Sequence, residues 1–296
     1  MAEKESCACE PNGDCDSCGD KKGSGCAGES HGTHGSPGSP GSPEPEKLRE
    51  NDNSRIKNVI GIMSGKGGVG KSSVTSLLAS GFRKKGLSIG ILDADITGPS
   101  IPKMFGVHQP AENTGFGLIP GSSQGGVKIM SLNLLVPNED DPVIWRGPIL
   151  AGAVKQFYTD VLWGNLDYLF VDLPPGTGDV PLTVMQSLPL NGLIIVSSPQ
   201  DVSIMVVKKA MKMAQIMGVP ILGLIENLGR TVCPLCGGEY DIFGPSKGKE
   251  VADTFGIPFL GTMPVDPLLS QLCDEGKVEE YQSNLFVHLI PELINH

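Results

Sequence analysis

Ser64-Gly65-Lys66-Gly67-Gly68-Val69-Gly70-Lys71-Ser72-Ser73 decides the fold of this 296-residue chain. An apolar, strand-like stretch precedes it, Val59-Ile60-Gly61-Ile62-Met63, and a helix-length segment follows, Val74 to Lys85. Strand, glycine-rich loop and helix in that order make a phosphate-binding loop. Glycines at 65, 67, 68 and 70 let backbone N–H groups turn inward around phosphate oxygens, with Val69 carried between them. The helix start adds its dipole and its unpaired donors. Lys71 then reaches the outer phosphates, and Ser72, with Ser73 beside it, offers a hydroxyl to Mg²⁺. A second lysine, Lys66, stands inside the loop, where an ordinary phosphate loop has one.

Outward from the loop, apolar strands alternate with helix-length segments. Val59–Met63, Ser88–Leu92, Val127–Leu132, Tyr168–Val171, Gly192–Ser197, Ile221–Ile225 and Phe259–Met263 read as strands. Several are apolar throughout, as parallel strands covered on both faces are. The fold class is therefore α/β: a doubly wound, mostly parallel sheet, with ligands at the carboxyl ends of its strands. Val206, Ala210, Met213, Ala214 and Met217 fall at helical spacing and read as core packing.

Residues 1–54 differ in kind. They hold eleven acids, five bases and few large apolar side chains, and Ser36 to Pro43 repeats a Gly/Ser/Pro unit. Such a segment buries too little surface to offset its ordering entropy, so 1–54 is expected to be a disordered tail and linker and 55–296 the folded domain. A net charge of −10 argues against nucleic-acid or anionic-membrane binding. No apolar run is long enough to span a bilayer, and the polar N-terminus has no signal-peptide core. A cytoplasmic protein is expected. Its eight cysteines then read as metal or redox chemistry rather than disulfides.

Three acids close strands. Ile91-Leu92-Asp93-Ala94-Asp95 puts Asp93 and Asp95 at the nucleotide crevice, one to hold Mg²⁺ and one to orient the attacking water. Tyr168-Leu169-Phe170-Val171-Asp172 ends in a third candidate ligand for Mg²⁺, followed by the stiff Pro174-to-Asp179 loop. Asn227 follows a strand, and its amide suits an adenine edge. Cys233-Pro234-Leu235-Cys236-Gly237-Gly238 offers two thiols for one metal centre. A [4Fe–4S] cluster or a Cys₄ zinc site needs four, which two symmetric chains would supply. In the tail, Cys9, Cys15, Cys18 and Cys26 are a further candidate ligand set, with Cys7 as a fifth thiol. Cys273 reads as a buried free thiol. Leu285, Phe286, Leu289, Ile290, Leu293 and Ile294 form an apolar helical face without the basic flank of a membrane helix.

Lys66 resembles the extra lysine of the SIMIBI group of nucleotide-binding proteins, which includes MinD and ParA. There it reaches across a dimer interface to the partner's nucleotide, so the resemblance implies a homodimer. Within that group the chain is similar to the Mrp, or ApbC-type, family of iron–sulfur carriers. The matching stretches are Gly65–Ser73, Asp93–Pro102, Trp145–Pro148, Trp163–Asp179, Ser198–Asp201, Glu226-Asn227, Cys233–Cys236 and Pro264–Pro267. The resemblance implies ATP hydrolysis coupled to holding a [4Fe–4S] cluster between two chains and passing it to apoproteins, with scaffold proteins as further partners. It implies Asp95 as the water-orienting residue, Asn227 at the base, and Cys233 and Cys236 as bridging ligands. The alternative is a MinD/ParA-like regulatory or partitioning ATPase with a structural zinc.

Overall fold

All seven runs read as strands pair into one sheet. The computed structural model describes residues 47–95, 98, 100–136, 147–233, 235–282 and 285. Its elements run β1 (Arg55–Ser64), α1 (Lys71–Lys84), β2 (Ile89–Asp93), α2 (Ile101–Met104), β3 (Glu112–Thr114), β4 (Gly117–Ile119), β5 (Gly121–Ser122), β6 (Lys128–Ser131), α3 (Gly147–Thr159), β7 (Asn165–Asp172), α4 (Asp179–Ser187), β8 (Gly192–Ser197), α5 (Asp201–Ile216), β9 (Ile221–Glu226), β10 (Arg230–Val232), β11 (Glu239–Asp241), α6 (Gly248–Phe255), β12 (Phe259–Thr262) and α7 (Pro267–Asp274). The main sheet has the order β12-β9-β8-β1-β7-β2-β6-β5. Every pairing in it is parallel except that of the short edge strand β5 with β6.

Side chains alternate across this sheet and build two apolar layers. Val59 and Met63 of β1, Leu169 and Val171 of β7, and Leu193 and Ile195 of β8 face one core, closed by α3, α4, α5 and α6. Ile60 and Ile62, Tyr168 and Phe170, and Ile194 and Val196 face the other, closed by α1, α2 and α7. Both faces being covered is why these strands carry no polar alternation. Phe82 of α1 meets Tyr168 and Phe170 edge-on, with ring centroids 4.8 and 5.5 Å away. In α5, Ala210 and Ala214 are fully buried, and Met213 and Met217 pack at the margin of the same layer. That stripe is core, as its spacing implies.

Residues 47–54, on the tail side of the expected boundary at 55, include side chains and backbone that contact the folded domain. Leu48 packs against the α4 layer, its N–H donates to the Ser187 carbonyl at 2.8 Å, and Lys47 Nζ donates to the Met185 carbonyl at 2.6 Å. One leucine in a polar stretch finds an apolar margin there, which a composition count cannot register. The tail cysteines, Trp145, Arg146 and the C-terminal apolar face beyond Leu285 lie outside the described residues. Among the described residues no helix is long and apolar enough to cross a membrane.

Candidate functional site

β1 stops at Ser64 and α1 starts at Lys71, leaving a loop at the carboxyl edge of the sheet. Gly68 and Gly70 take left-handed φ of 78° and 73°, which side chains with a Cβ avoid. Two other packings fix glycines here. A Cβ on Gly65 would lie 2.7 Å from the backbone of Val206 and Val207 in α5, and one on Gly70 would strike Asn227 Nδ2.

The strand order β1-β7-β2 brings the acids to the loop. Asp172 is the register neighbour of Ile62 on one side and of Asp93 on the other. Lys71 Nζ lies 2.7 Å from Asp172 Oδ2, with the carboxylate wholly buried, and 3.7 Å from Asp95 Oδ2. Ser72 Oγ donates to Asp172 at 2.6 Å. Thr75, one turn along α1, brings its hydroxyl to 2.7 Å from Asp172 Oδ1. Asp93 accepts from the N–H of Asp95, the N–H of Ile101 and the Ser131 hydroxyl, at 3.2, 3.4 and 3.3 Å. Burial, and then the neighbouring Asp172 charge, push its carboxyl up to about 8 against the pull of Lys71. One serine hydroxyl and two carboxylates grouped beside a phosphate loop form a hard-oxygen donor set, which fits Mg²⁺.

Lys66 Nζ donates to Gln200 Oε1 of its own chain at 2.5 Å. Asn227 is buried at the end of β9, in the wall of the cleft, and its amide braces the loop. Nδ2 donates to the Val69 carbonyl at 2.9 Å, and Oδ1 accepts from the Leu228 N–H at 2.8 Å. The cleft has two adjoining ends. One, of about 260 Å³, is lined by the loop with Asp95, Ser100 and Pro175. The other, of about 340 Å³, shares Gly68, Gly70, Ser73 and Met104 with the first and continues along Asn227, Leu228 and the 263–266 segment.

Thr75 and Leu228 escaped sequence reasoning, while Gln200 and Pro264 to Asp266 were named there only as parts of matching stretches, with no role at the site. Thr75 had a local signal, since it stands four residues after Lys71 on the same helix face. Leu228 had none, and the contacts that Gln200 and the 264–266 stretch make come from segments distant in the chain.

The two thiols lie on a separate hairpin. β10 and β11 pair antiparallel, and Cys233 follows β10 directly. Its N–H donates to the Gly238 carbonyl, and the Gly237 N–H donates to the Cys233 carbonyl, each at 2.9 Å. Gly237 closes the turn at φ 70°. The backbone N–H of Cys236, then that of Leu235, hold the Cys233 thiol below its ordinary range. Both cysteines are free, Cys233 half-buried and Cys236 exposed. Among the described residues no third His, Cys, Asp or Glu joins them in a metal-binding group. Val232, Leu235, Tyr240, Ile242 and Phe243 are exposed apolar side chains on the same hairpin and the turn after it.

A family model described as the NUBPL iron-transfer P-loop NTPase matches residues 55–294. An "iron-sulfur cluster carrier protein" of Methanocaldococcus jannaschii is 45% identical over 269 residues, covering 90% of this chain and 89% of that protein. The solved structure of a nucleotide-binding protein from Archaeoglobus fulgidus, in complex with ADP, superposes with a TM-score of 0.70 at 45% identity, over 78% of this chain and 91% of that one. The cell-division ATPase MinD of Pyrococcus furiosus, at 20% identity and a TM-score of 0.56, shares the fold over 81% of this chain and 99% of that one.

Proposed function

The chain belongs to the NUBPL iron-transfer P-loop NTPase family, and from that membership we propose that it is an ATP-hydrolysing carrier that holds a [4Fe–4S] cluster between two copies of itself and passes it to apoproteins. One observation carries the reading. A pair of accessible thiols, with no third donor among the described residues, stands on the same chain as a complete phosphate cleft. Two thiols leave a four-thiolate cluster half-ligated, and a second copy related by two-fold symmetry supplies the rest.

In this reading the loop amides from Gly65 to Gly70 and the start of α1 cradle the phosphates. Lys71 and the partner copy's equivalent of Lys66 balance their charge, with Lys66 leaving Gln200 to reach across. Ser72, Asp172 and Asp93 would hold Mg²⁺, which supplies positive charge at the outer phosphate oxygens. Asp95 orients water for attack at the γ-phosphorus, and the P–O bond to ADP breaks with its electron pair on ADP. The base lies along Asn227, Leu228 and the 263–266 wall. Scaffold proteins load the cluster, apoproteins receive it, and the exchange takes place in the cytoplasm. A partitioning switch with structural zinc has only the shared fold behind it.

Anaerobic reconstitution with iron and sulfide tests the proposal. Both the full chain and a chain starting at Glu44 should take up one cluster's worth of iron per two chains at Cys233 and Cys236. Cys233→Ser in the shorter chain should take up none. Zinc without iron in anaerobically purified protein, or an unchanged cluster spectrum in Cys233→Ser, would overturn it.

A further inference from the structure

Cys233 follows Asn227 by only six positions, and the segment between them is held in an unusual way. Leu228 has φ 58° and is the single non-glycine residue with positive φ among the described residues. A leucine is disfavoured there because its Cβ crowds the following carbonyl. Specific contacts impose the conformation. The Leu228 N–H donates back to Asn227 Oδ1 at 2.8 Å, and the Gly229 N–H donates to the Met263 carbonyl at 3.2 Å. A Cβ on Gly229 would strike Thr262 Cγ2, so the chain passes close against the end of β12. The buried Thr231 hydroxyl then donates to the Val265 carbonyl at 2.9 Å.

These contacts share a destination. Leu228 lines one wall of the cleft's second end, and Met263 and Val265 line another. Both walls are therefore fastened to the segment that leads into Cys233. Asn227 ties the same segment to the phosphate loop through the Val69 carbonyl. A ligand filling this end touches Leu228 and Val265 directly, and any shift of either is handed to β10. A ligand moves a conformational equilibrium only through contacts that differ between two states, and Leu228 and Val265 stand where a ligand in this end makes its contacts.

We propose that Leu228 and Thr231 are positioning residues that couple the base end of the nucleotide cleft to the cysteine hairpin, so that a bound adenine nucleotide changes the accessibility of Cys233. The inference rests on the nucleotide reading given above and adds the route by which occupancy reaches the thiols. Neither residue touches the phosphates.

The test uses the full-length, metal-free, reduced chain. Equilibrium dialysis measures ADP binding, and site-resolved mass spectrometry follows iodoacetamide labelling of Cys233. In the wild type, saturating ADP should change the Cys233 labelling rate by about fivefold, the low end of ordinary site-to-site coupling. Thr231→Val, which deletes the hydroxyl, should bind ADP as before and lose that response, and Thr231→Ser should restore it. Leu228→Gly accepts the left-handed backbone without strain and empties the wall. Compared at its own saturating ADP concentration, it too should lose the response. A merely structural role would change basal labelling in every variant and leave the ADP ratio intact. If the wild type binds ADP and Cys233 labelling does not move, or if Thr231→Val and Leu228→Gly keep the full ratio, the coupling is refuted. If the wild type binds no ADP, the nucleotide reading itself fails.

Discussion

Replacing Lys71 by alanine in the nucleotide-free protein withdraws the cation from a cluster of three carboxylates, of which Asp93 and Asp172 are buried and Asp95 is half-buried. Lys71 Nζ sits 2.7 Å from Asp172 Oδ2, with side-chain exposures of 6% and 0%, and 3.7 Å from Asp95. At an effective dielectric of 20 the closer pair attracts by about 6 kcal/mol before desolvation is counted. Breaking a buried pair from one side costs about 3–5 kcal/mol, because the remaining charge is left without compensation. Asp172 keeps the hydroxyl donors Ser72 and Thr75, which argues for the lower end of that range, about 3 kcal/mol. Urea denaturation without nucleotide or Mg²⁺ measures this in Lys71→Ala, Asp172→Ala and the double variant. If the two charges compensate each other, the double variant loses about 2 kcal/mol less than the sum of the singles. Additivity within about 0.5 kcal/mol would refute the claim that this lysine holds the carboxylates of the site together.

Gly65→Ala puts a methyl group 2.7 Å from the α5 backbone at Val206 and Val207. It should cost about 1–3 kcal/mol in denaturation and weaken ADP binding, and an unchanged midpoint would show that α5 yields freely. The thiols should separate by pH, since labelling follows the thiolate. Burial pushes Cys273 up to about 11, while backbone N–H groups hold Cys233 low. Iodoacetamide labelling of the metal-free chain should therefore level off for Cys233 well before Cys273, whose rate keeps climbing toward that value. Coincident profiles would count against the thiolate-stabilising turn.

Much of the architecture was legible because it rests on local rules. Seven apolar runs bounded by turn residues became seven strands. The loop from Gly65 to Gly70 declared itself through the glycines that its left-handed and closely approached positions require. Cys233 and Cys236 were picked out as a candidate ligand pair through spacing alone, and the structure sets both in one turn after β10. The anchoring of Leu48 was not legible because composition averages over a window, and a single leucine vanishes in it. Thr75 was readable in principle, one helical turn from Lys71. Gln200 and the Val265 carbonyl were not, because nothing near them in the chain records that Lys66 and Thr231 are their partners.

Sequence alone determined the element types, the phosphate loop and the kinds of donor available: carboxylates at strand ends, hydroxyls on the first turn of α1, thiols in a tight turn. Tertiary structure alone decided which of them meet. Strands buried on both faces are apolar in any order, so hydrophobic pattern cannot say that β7 inserts between β1 and β2. That insertion sets Asp172 opposite Asp93 and under Lys71. Register and strand order arise from packing between segments a hundred residues apart, and the same packing lays the approach to Cys233 along the wall of the cleft.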